Sequence, residues 1–173
     1  MAVLEQANKV TMKGNPVILL GTEIKVGQQA PEATLTANDL SEVKLSSLIK
    51  GKTTILSVVP SLDTGICDLQ TRRFNTEAGK LGDKVQILTI SVDLPFAQKR
   101  WCGSAGVDKI KTLSDYRYAS FGEAFGVLIK GLRLLTRAIF IVDTNGKVRY
   151  VQLVPEITTE PDYKAALDAL QKI

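Results

Sequence analysis

The sequence predicts an α/β protein: a central mixed β-sheet flanked by helices, with an amino-terminal β-hairpin. Three observations carry this expectation. Two runs rich in β-branched residues, Thr53-Thr54-Ile55-Leu56-Ser57-Val58-Val59 and Val85-Gln86-Ile87-Leu88-Thr89-Ile90-Ser91-Val92, read as strands buried on both faces. Each is followed by a stretch of helical character, the pattern of strands joined by crossovers. Towards the carboxy terminus, residues 137–142 and 147–154 flank Asp143-Thr144-Asn145-Gly146, an antiparallel hairpin with an Asn-Gly turn.

Taken in order, Val10-Thr11-Met12 and Pro16-Val17-Ile18-Leu19-Leu20 flank the turn-forming cluster Lys13-Gly14-Asn15 and form the first hairpin. Residues 26–31 read as a loop, Ala33-Thr34-Leu35-Thr36 as a short strand, and Ser46-Ser47-Leu48 as a single helical turn. A helix is expected from about Gly65 to Ala78, closed by Gly79 or Gly82. Asp93-Leu94-Pro95 starts another, with Pro95 near its first turn, running towards Trp101-Cys102 and stopped by Gly103. Residues 110–114 form a short strand and 118–125 a short helix. Thr159-Glu160-Pro161-Asp162 opens a last helix, with Pro161 in its first turn and Tyr163, Ala166, Leu167 and Leu170 on its apolar face. With no linker, low-complexity segment or repeat in between, residues 1–173 are expected to form a single domain.

Composition narrows the chemistry. Histidine is absent, which excludes Ser-His-Asp and Cys-His catalysis and any His-ligated metal. Two cysteines alone cannot build a four-thiolate zinc site within one chain, so no metal is expected. Lys and Arg number 22 against 18 Asp and Glu, a scattered excess with no basic stripe interleaved with aromatics, and nucleic-acid binding is not expected. Apolar runs fall far short of a membrane span, and Met1-Ala2-Val3-Leu4-Glu5 shows no basic region before an apolar one. The expected location is therefore cytoplasmic. There, two cysteines read as free thiols or a redox pair rather than a structural disulfide.

One stretch organises the rest: Pro60-Ser61-Leu62-Asp63-Thr64-Gly65-Ile66-Cys67. A buried strand ends at a proline, the chain turns, and a cysteine arrives in the first turn of a helix. Unpaired backbone N–H groups and the positive end of the helix dipole favour a thiolate there. The bland alternative is that Cys67 is a small buried hydrophobe. Cys102, beside Trp101, can likewise simply pack.

Pro60, Thr64 and Cys67 form Pro-x-x-x-Thr-x-x-Cys, which with its preceding strand resembles the active-site motif of peroxiredoxins. The longer run through Arg72-Arg73-Phe74-Asn75 resembles the bacterial thiol peroxidases of that family. So do Asp93-Leu94-Pro95-Phe96-Ala97-Gln98-Lys99-Arg100-Trp101-Cys102-Gly103 and Thr158-Thr159-Glu160-Pro161-Asp162-Tyr163. The resemblance implies a thioredoxin-like fold and a thiol-specific peroxidase, an antioxidant enzyme without a cofactor, reducing hydrogen peroxide and organic hydroperoxides. It implies Cys67 as the peroxidatic cysteine, with Thr64 offering its hydroxyl to sulfur and peroxide and Pro60 shielding the sulfur from water. Arg137 matches the family's distant arginine. Cys102 matches the resolving cysteine of the atypical two-cysteine type, closing an intrachain disulfide that thioredoxin reduces. The family is typically homodimeric.

Elementary arithmetic says what such a site has to supply. A cysteine with pKa about 8.5 is roughly 3% thiolate at pH 7, and lowering the pKa to about 6.5 gives roughly 75%. Nucleophilicity falls with pKa, forfeiting about eightfold of that roughly 25-fold gain and leaving about threefold. The larger part has to come from donors aimed at charge developing on the peroxide oxygens. Thr64, the Cys67 N–H and the Arg137 guanidinium suit that task. Cys67 and Cys102 lie 35 positions apart (102 − 67) on separate predicted helices. A disulfide needs Cα atoms within about 7 Å, so local unwinding is expected on oxidation, with Gly65 and 103–106 as places for the chain to give.

Other readings remain open on residues alone. Arg137 can be a strand-end ion pair, and Arg72 and Arg73 read as a solvated face. The apolar stretch 126–135 can line a hydroperoxide pocket, cover the core or join a subunit interface. A thiol–disulfide exchanger is the redox alternative, although Cys-x-x-Cys is missing. A binding domain with two incidental cysteines is the non-enzymatic one.

Overall fold

The computed structural model describes residues 2–173. Strands β1 (Glu5–Met12) and β2 (Asn15–Leu20) form the amino-terminal hairpin. Met12 faces Asn15 across a two-residue turn in which Lys13 (φ 50°) and Gly14 (φ 79°) are both left-handed. That is the backbone twist a tight hairpin needs, and it puts Asn15 in the strand rather than the turn. β1 begins well before Val10, where the apolar pattern starts. Gln6 is buried and its amide nitrogen bonds the carbonyls of Gly21 (2.9 Å) and Gly126 (3.3 Å), so a polar residue is paid for by partners that periodicity does not reveal.

Next come β3 (Thr34–Thr36), β4 (Glu42–Lys44) and the short helix α1 (Leu45–Ile49). The β/α alternation follows as expected: β5 (Thr53–Val58), α2 (Gly65–Leu81), β6 (Val85–Ser91), α3 (Pro95–Ala105), β7 (Lys111–Ser114) and α4 (Ser120–Ala124). The chain closes with β8 (Leu128–Ile129), β9 (Ala138–Val142), β10 (Val148–Leu153) and α5 (Tyr163–Leu170). The main sheet has the order β10-β9-β5-β6-β7-β3-β4, parallel for β5/β6/β7 and antiparallel elsewhere. β1, β2 and β8 form a second sheet.

Side chains alternate across the central strands, so each supplies two cores. Ile55, Ile87, Ile139 and Ile141 pack under Phe74 of α2 and Ala166 and Leu170 of α5, with Tyr163 edge-on to Phe74 at 5.6 Å. Leu56, Val58, Leu88, Ile90 and Phe140 pack on the opposite face with Phe121 and Phe125, whose rings stack at 4.2 Å. This is why both central strands read as unbroken apolar runs. The stretch 126–135 joins the same construction. Leu128 and Ile129 pair with Leu20 and Leu19, and Val127, Leu128, Ile129 and Leu135 are buried, so it covers the core.

Helix ends show how backbone conformation decides between candidate stops. α2 ends at Gly82 (φ 70°), the second of the two expected glycines. α3 runs through Gly103 to Ala105 and ends at Gly106 (φ 63°), whose N–H bonds the Cys102 carbonyl. A helical glycine costs only about 1 kcal/mol against alanine, whereas a left-handed residue terminates the ladder. α5 starts after Asp162, whose carboxylate accepts the Ala165 N–H at 2.9 Å, leaving Pro161 outside the helix. Among the described residues no helix is long and apolar enough to cross a membrane.

One buried acid gives this fold a pH signature. Asp115 is 1% exposed and accepts the N–H groups of Phe121 (2.9 Å) and Gly122 (2.8 Å) at the start of α4. Burial outweighs those bonds and pushes its pKa up to about 6. Its unfolded value is about 3.9. Its contribution to stability is thus fully present below pH about 4 and is lost as pH rises through about 6. Asp115→Asn should flatten the urea midpoint against pH between about 4 and 6, removing a change on the order of 3 kcal/mol.

Candidate active site

β5 delivers the chain to the buried Pro60, and the turn 61–64 leads into α2 with Thr64 as N-cap. Threonine at an N-cap ordinarily accepts an N–H two or three residues on. Here it makes no such bond. Its Oγ1 lies 2.6 Å from Cys67 Sγ and 3.0 Å from the Ser61 carbonyl. The hydroxyl has one proton for two acceptors, so it can donate to sulfur or to carbonyl but not to both at once. Cys67, three residues into the helix, is fully buried, and the first-turn N–H groups around it lack intrahelical partners.

Arg137 reaches the same sulfur from the residue before β9. It is 2% exposed, and its Nη2 lies 3.4 Å from Cys67 Sγ. Its Nε donates to the Ile157 carbonyl (2.9 Å) and its Nη1 to Gln70 Oε1 (2.8 Å). Those partners are a carbonyl, an amide oxygen and a sulfur, none of them a carboxylate. A buried guanidinium with no carboxylate among these partners is a ready complement for negative charge arising beside it. Gln70 is itself fixed, its amide nitrogen donating to Ser57 Oγ at 2.8 Å.

The hairpin takes part in this arrangement. Glu156 accepts the N–H groups of Lys13 (2.9 Å) and Gly14 (3.0 Å) and the hydroxyls of Thr11 and Thr158. The Thr158 hydroxyl above all, then the Gly14 N–H and the Thr11 hydroxyl, hold its carboxyl well below the usual range. The β1–β2 turn is thus tied to the segment whose Ile157 carbonyl anchors Arg137. An open, mainly apolar cavity of about 570 Å³ lies over the site, its wall including Pro60, Thr64, Arg137, Met12, Leu69 and Ile157. The 126–135 stretch has no residue there.

Cys102, on α3, is half-buried and, like Cys67, a free thiol. Both belong to one apolar cluster with Val59, Leu62, Trp101 and Val107. Cys102 Sγ rests 3.8 Å from Thr112 Oγ1, and burial pushes its pKa up, against a smaller opposing effect of that hydroxyl. As packed it is a poor nucleophile until released.

The structure therefore brings Thr64 and Arg137 onto the Cys67 sulfur, sets Pro60 with them in the wall of the cavity and places Cys102 in the neighbouring helix. Three features were not legible beforehand. Gln70 is one of several polar residues on a helix, and nothing in the sequence marks it as the buried one. Asp93, read as a helix start and as the head of the 93–103 run, accepts Ser61 Oγ–H and the Leu62 N–H at 2.7 and 2.8 Å. Arg72 is no mere solvated face: it pairs with Asp68 (2.8 Å), lies over the Trp101 ring (5.6 Å) and donates to the Ala105 carbonyl (3.0 Å). With Trp101 Nε1–H donating to Asp68 at 3.1 Å, it links α2 to α3.

Comparison with known proteins places this geometry. The redoxin family model matches residues 25–167. The thiol peroxidase of Bacillus subtilis (strain 168) is 58% identical over 165 residues, covering 95% of this chain and 98% of that protein. The thiol peroxidase of Staphylococcus aureus (strain Mu50) is 52% identical over 165 residues, covering 95% and 99%. Among solved structures, a peroxiredoxin-like protein from Aquifex aeolicus superposes with TM-score 0.87 at 40% identity, over 99% of both chains. A thiol peroxidase from Chromobacterium violaceum shares the fold, with TM-score 0.83 at 22% identity over 94% and 95%. The fold is thioredoxin-like α/β, and the chain belongs to the redoxin family, among its thiol peroxidases.

Proposed function

We propose that the protein reduces hydrogen peroxide and organic hydroperoxides to water and alcohols through Cys67 and Cys102, with thioredoxin as reductant. The observation that carries this reading is the buried Arg137, set 3.4 Å from the Cys67 sulfur beside an open cavity. The Cys67 thiolate attacks one peroxide oxygen, the O–O bond breaks, and the departing alkoxide or hydroxide takes up a proton. The sulfur becomes a sulfenic acid. Thr64 directs its hydroxyl at the sulfur and the bound peroxide, and Pro60 excludes water. Arg137 stabilises charge on the oxygens at the moment it develops, which is where most of the acceleration has to arise. The Cys102 thiol then attacks the sulfenic sulfur, hydroxide leaves as water, and an intrachain disulfide forms. Two electrons and two protons from reduced thioredoxin restore both thiols.

The apolar wall of Met12, Ile66, Leu69 and Ile157 favours alkyl over purely polar hydroperoxides. Residues 1–173 work as one domain in a reducing, cytoplasmic setting, which suits two free thiols. Homodimerisation is supported by exposed Leu94, Phe96, Tyr116 and Tyr118 on segments joined where Ser114 Oγ–H donates to the Asp93 carbonyl.

The test is turnover with thioredoxin, thioredoxin reductase and NADPH. The wild type should oxidise NADPH in proportion to added peroxide. Cys102→Ser should complete one peroxide reduction, then stall and pass to sulfinic acid at Cys67 under excess peroxide. Sustained thioredoxin-driven turnover by Cys102→Ser would exclude the intrachain route.

A further inference from the structure

We propose that Asp93 is a positioning residue that holds both thiol-bearing segments in the peroxide-reactive arrangement, and that its release lets Cys67 and Cys102 meet. The inference rests on the two-cysteine reading above and adds to it the device that separates the two chemical steps.

Asp93 lies just beyond the end of β6, between the loop that precedes Cys67 and the helix that carries Cys102. One arm of its contacts runs to the first segment. Oδ1 accepts the Ser61 hydroxyl at 2.7 Å and Oδ2 accepts the Leu62 N–H at 2.8 Å. Both bonds end on an acidic side chain, the stronger class of hydrogen bond. The Ser61 carbonyl held in this way is the one that competes with Cys67 for the Thr64 proton, at 3.0 Å. Fixing Ser61 therefore fixes where Thr64 aims.

A second arm runs to α3. Oδ2 also accepts the Ser91 hydroxyl at 2.7 Å, and Ser91 Oγ accepts the Gln98 amide at 3.0 Å. The other proton of that amide goes to the Leu113 carbonyl at 2.9 Å. Gln98 lies four residues before Cys102, so the two stand one above the other on α3. Gln98 is fully buried, yet its Oε1 has no partner. Beyond the Ser91 hydroxyl this arm depends on neutral bonds through the one Gln98 nitrogen and leaves an acceptor unpaired, and that outer link makes it the weaker of the two. Cys102 is accordingly the segment that lets go first, while the tighter arm keeps Thr64 trained on Cys67.

The two arms predict opposite effects on two rates. Trp101, the single tryptophan, neighbours Cys102 and bonds Asp68, so its fluorescence reports on both helices. In stopped-flow mixing of the reduced full chain with hydrogen peroxide, a peroxide-dependent phase reports sulfenic acid formation. A peroxide-independent phase reports disulfide closure. Asp93→Asn should slow the first about tenfold by loosening the reacting geometry. It should speed the second several-fold and lower the fraction of Cys67 driven to sulfinic acid by excess peroxide. Ser61→Ala, which spares the Leu62 contact, should slow only the first phase. Gln98→Leu should speed only the second. An unchanged ratio of the two rates in all three variants, or both phases falling together with thermal stability, would overturn the proposal while leaving the peroxidase reading intact. A wild type without any peroxide-dependent phase would instead overturn that reading and the proposal with it.

Discussion

Cys67→Ser is expected to abolish peroxide consumption while leaving the fold in place. The exchange replaces one fully buried sulfur by oxygen, with no change of shape that Thr64, Arg137 or the surrounding apolar cluster has to absorb. A serine hydroxyl is scarcely ionised at neutral pH, and the side chains that meet this position, Thr64 and Arg137, offer it no base. Arg137 and Thr64 would remain aimed at an atom that cannot attack. The loss should therefore be complete in a peroxide-consumption assay, with far-ultraviolet circular dichroism unchanged. Residual consumption above the buffer rate would mean that Cys102 or another group carries the first step.

Arg137→Lys is the second large effect, because charge is kept while geometry is lost. The guanidinium uses three nitrogens at once, on Ile157 O, Gln70 Oε1 and Cys67 Sγ. An ammonium is a point charge that cannot reproduce that planar fork. The bimolecular rate with hydrogen peroxide should fall about 10²–10³-fold, the cost of removing one aimed donor from a charge-stabilising site. Leaving a buried acceptor unpaired should cost about 1–3 kcal/mol of stability, read from the urea midpoint. Stability loss alone cannot explain a rate change of that size while the protein stays folded. A near-normal rate would show that thiolate formation, worth about threefold, carries more of the acceleration than the donors do.

The parts that were legible in the sequence share a physical reason. β5 and β6 are buried on both faces, so their composition announces them without periodicity. Pro60, Thr64 and Cys67 lie on one short strand–turn–helix passage, where spacing is itself geometry. Arg137 was reached by resemblance alone, since its route to the sulfur runs through a sheet that no local pattern describes. Gln6, Gln70 and Gln98 were missed for a common cause. A buried amide and an exposed amide look alike in sequence, and only tertiary partners distinguish them. Gly103 and Gly106 make the same point for helix ends, because the backbone, not the residue type, decides which glycine turns left-handed. Arg72 shows it for charge, its guanidinium half-exposed yet tying α2 to α3.

The most direct measurement is a single turnover: reduced protein mixed with one equivalent of hydrogen peroxide, then thiol titration and peptide mapping under non-reducing conditions. The account predicts that both thiols disappear per peroxide consumed and that one intrachain peptide pair, containing Cys67 and Cys102, is recovered, with a change in Trp101 fluorescence. Full retention of both thiols, or a disulfide found only between chains, would contradict it.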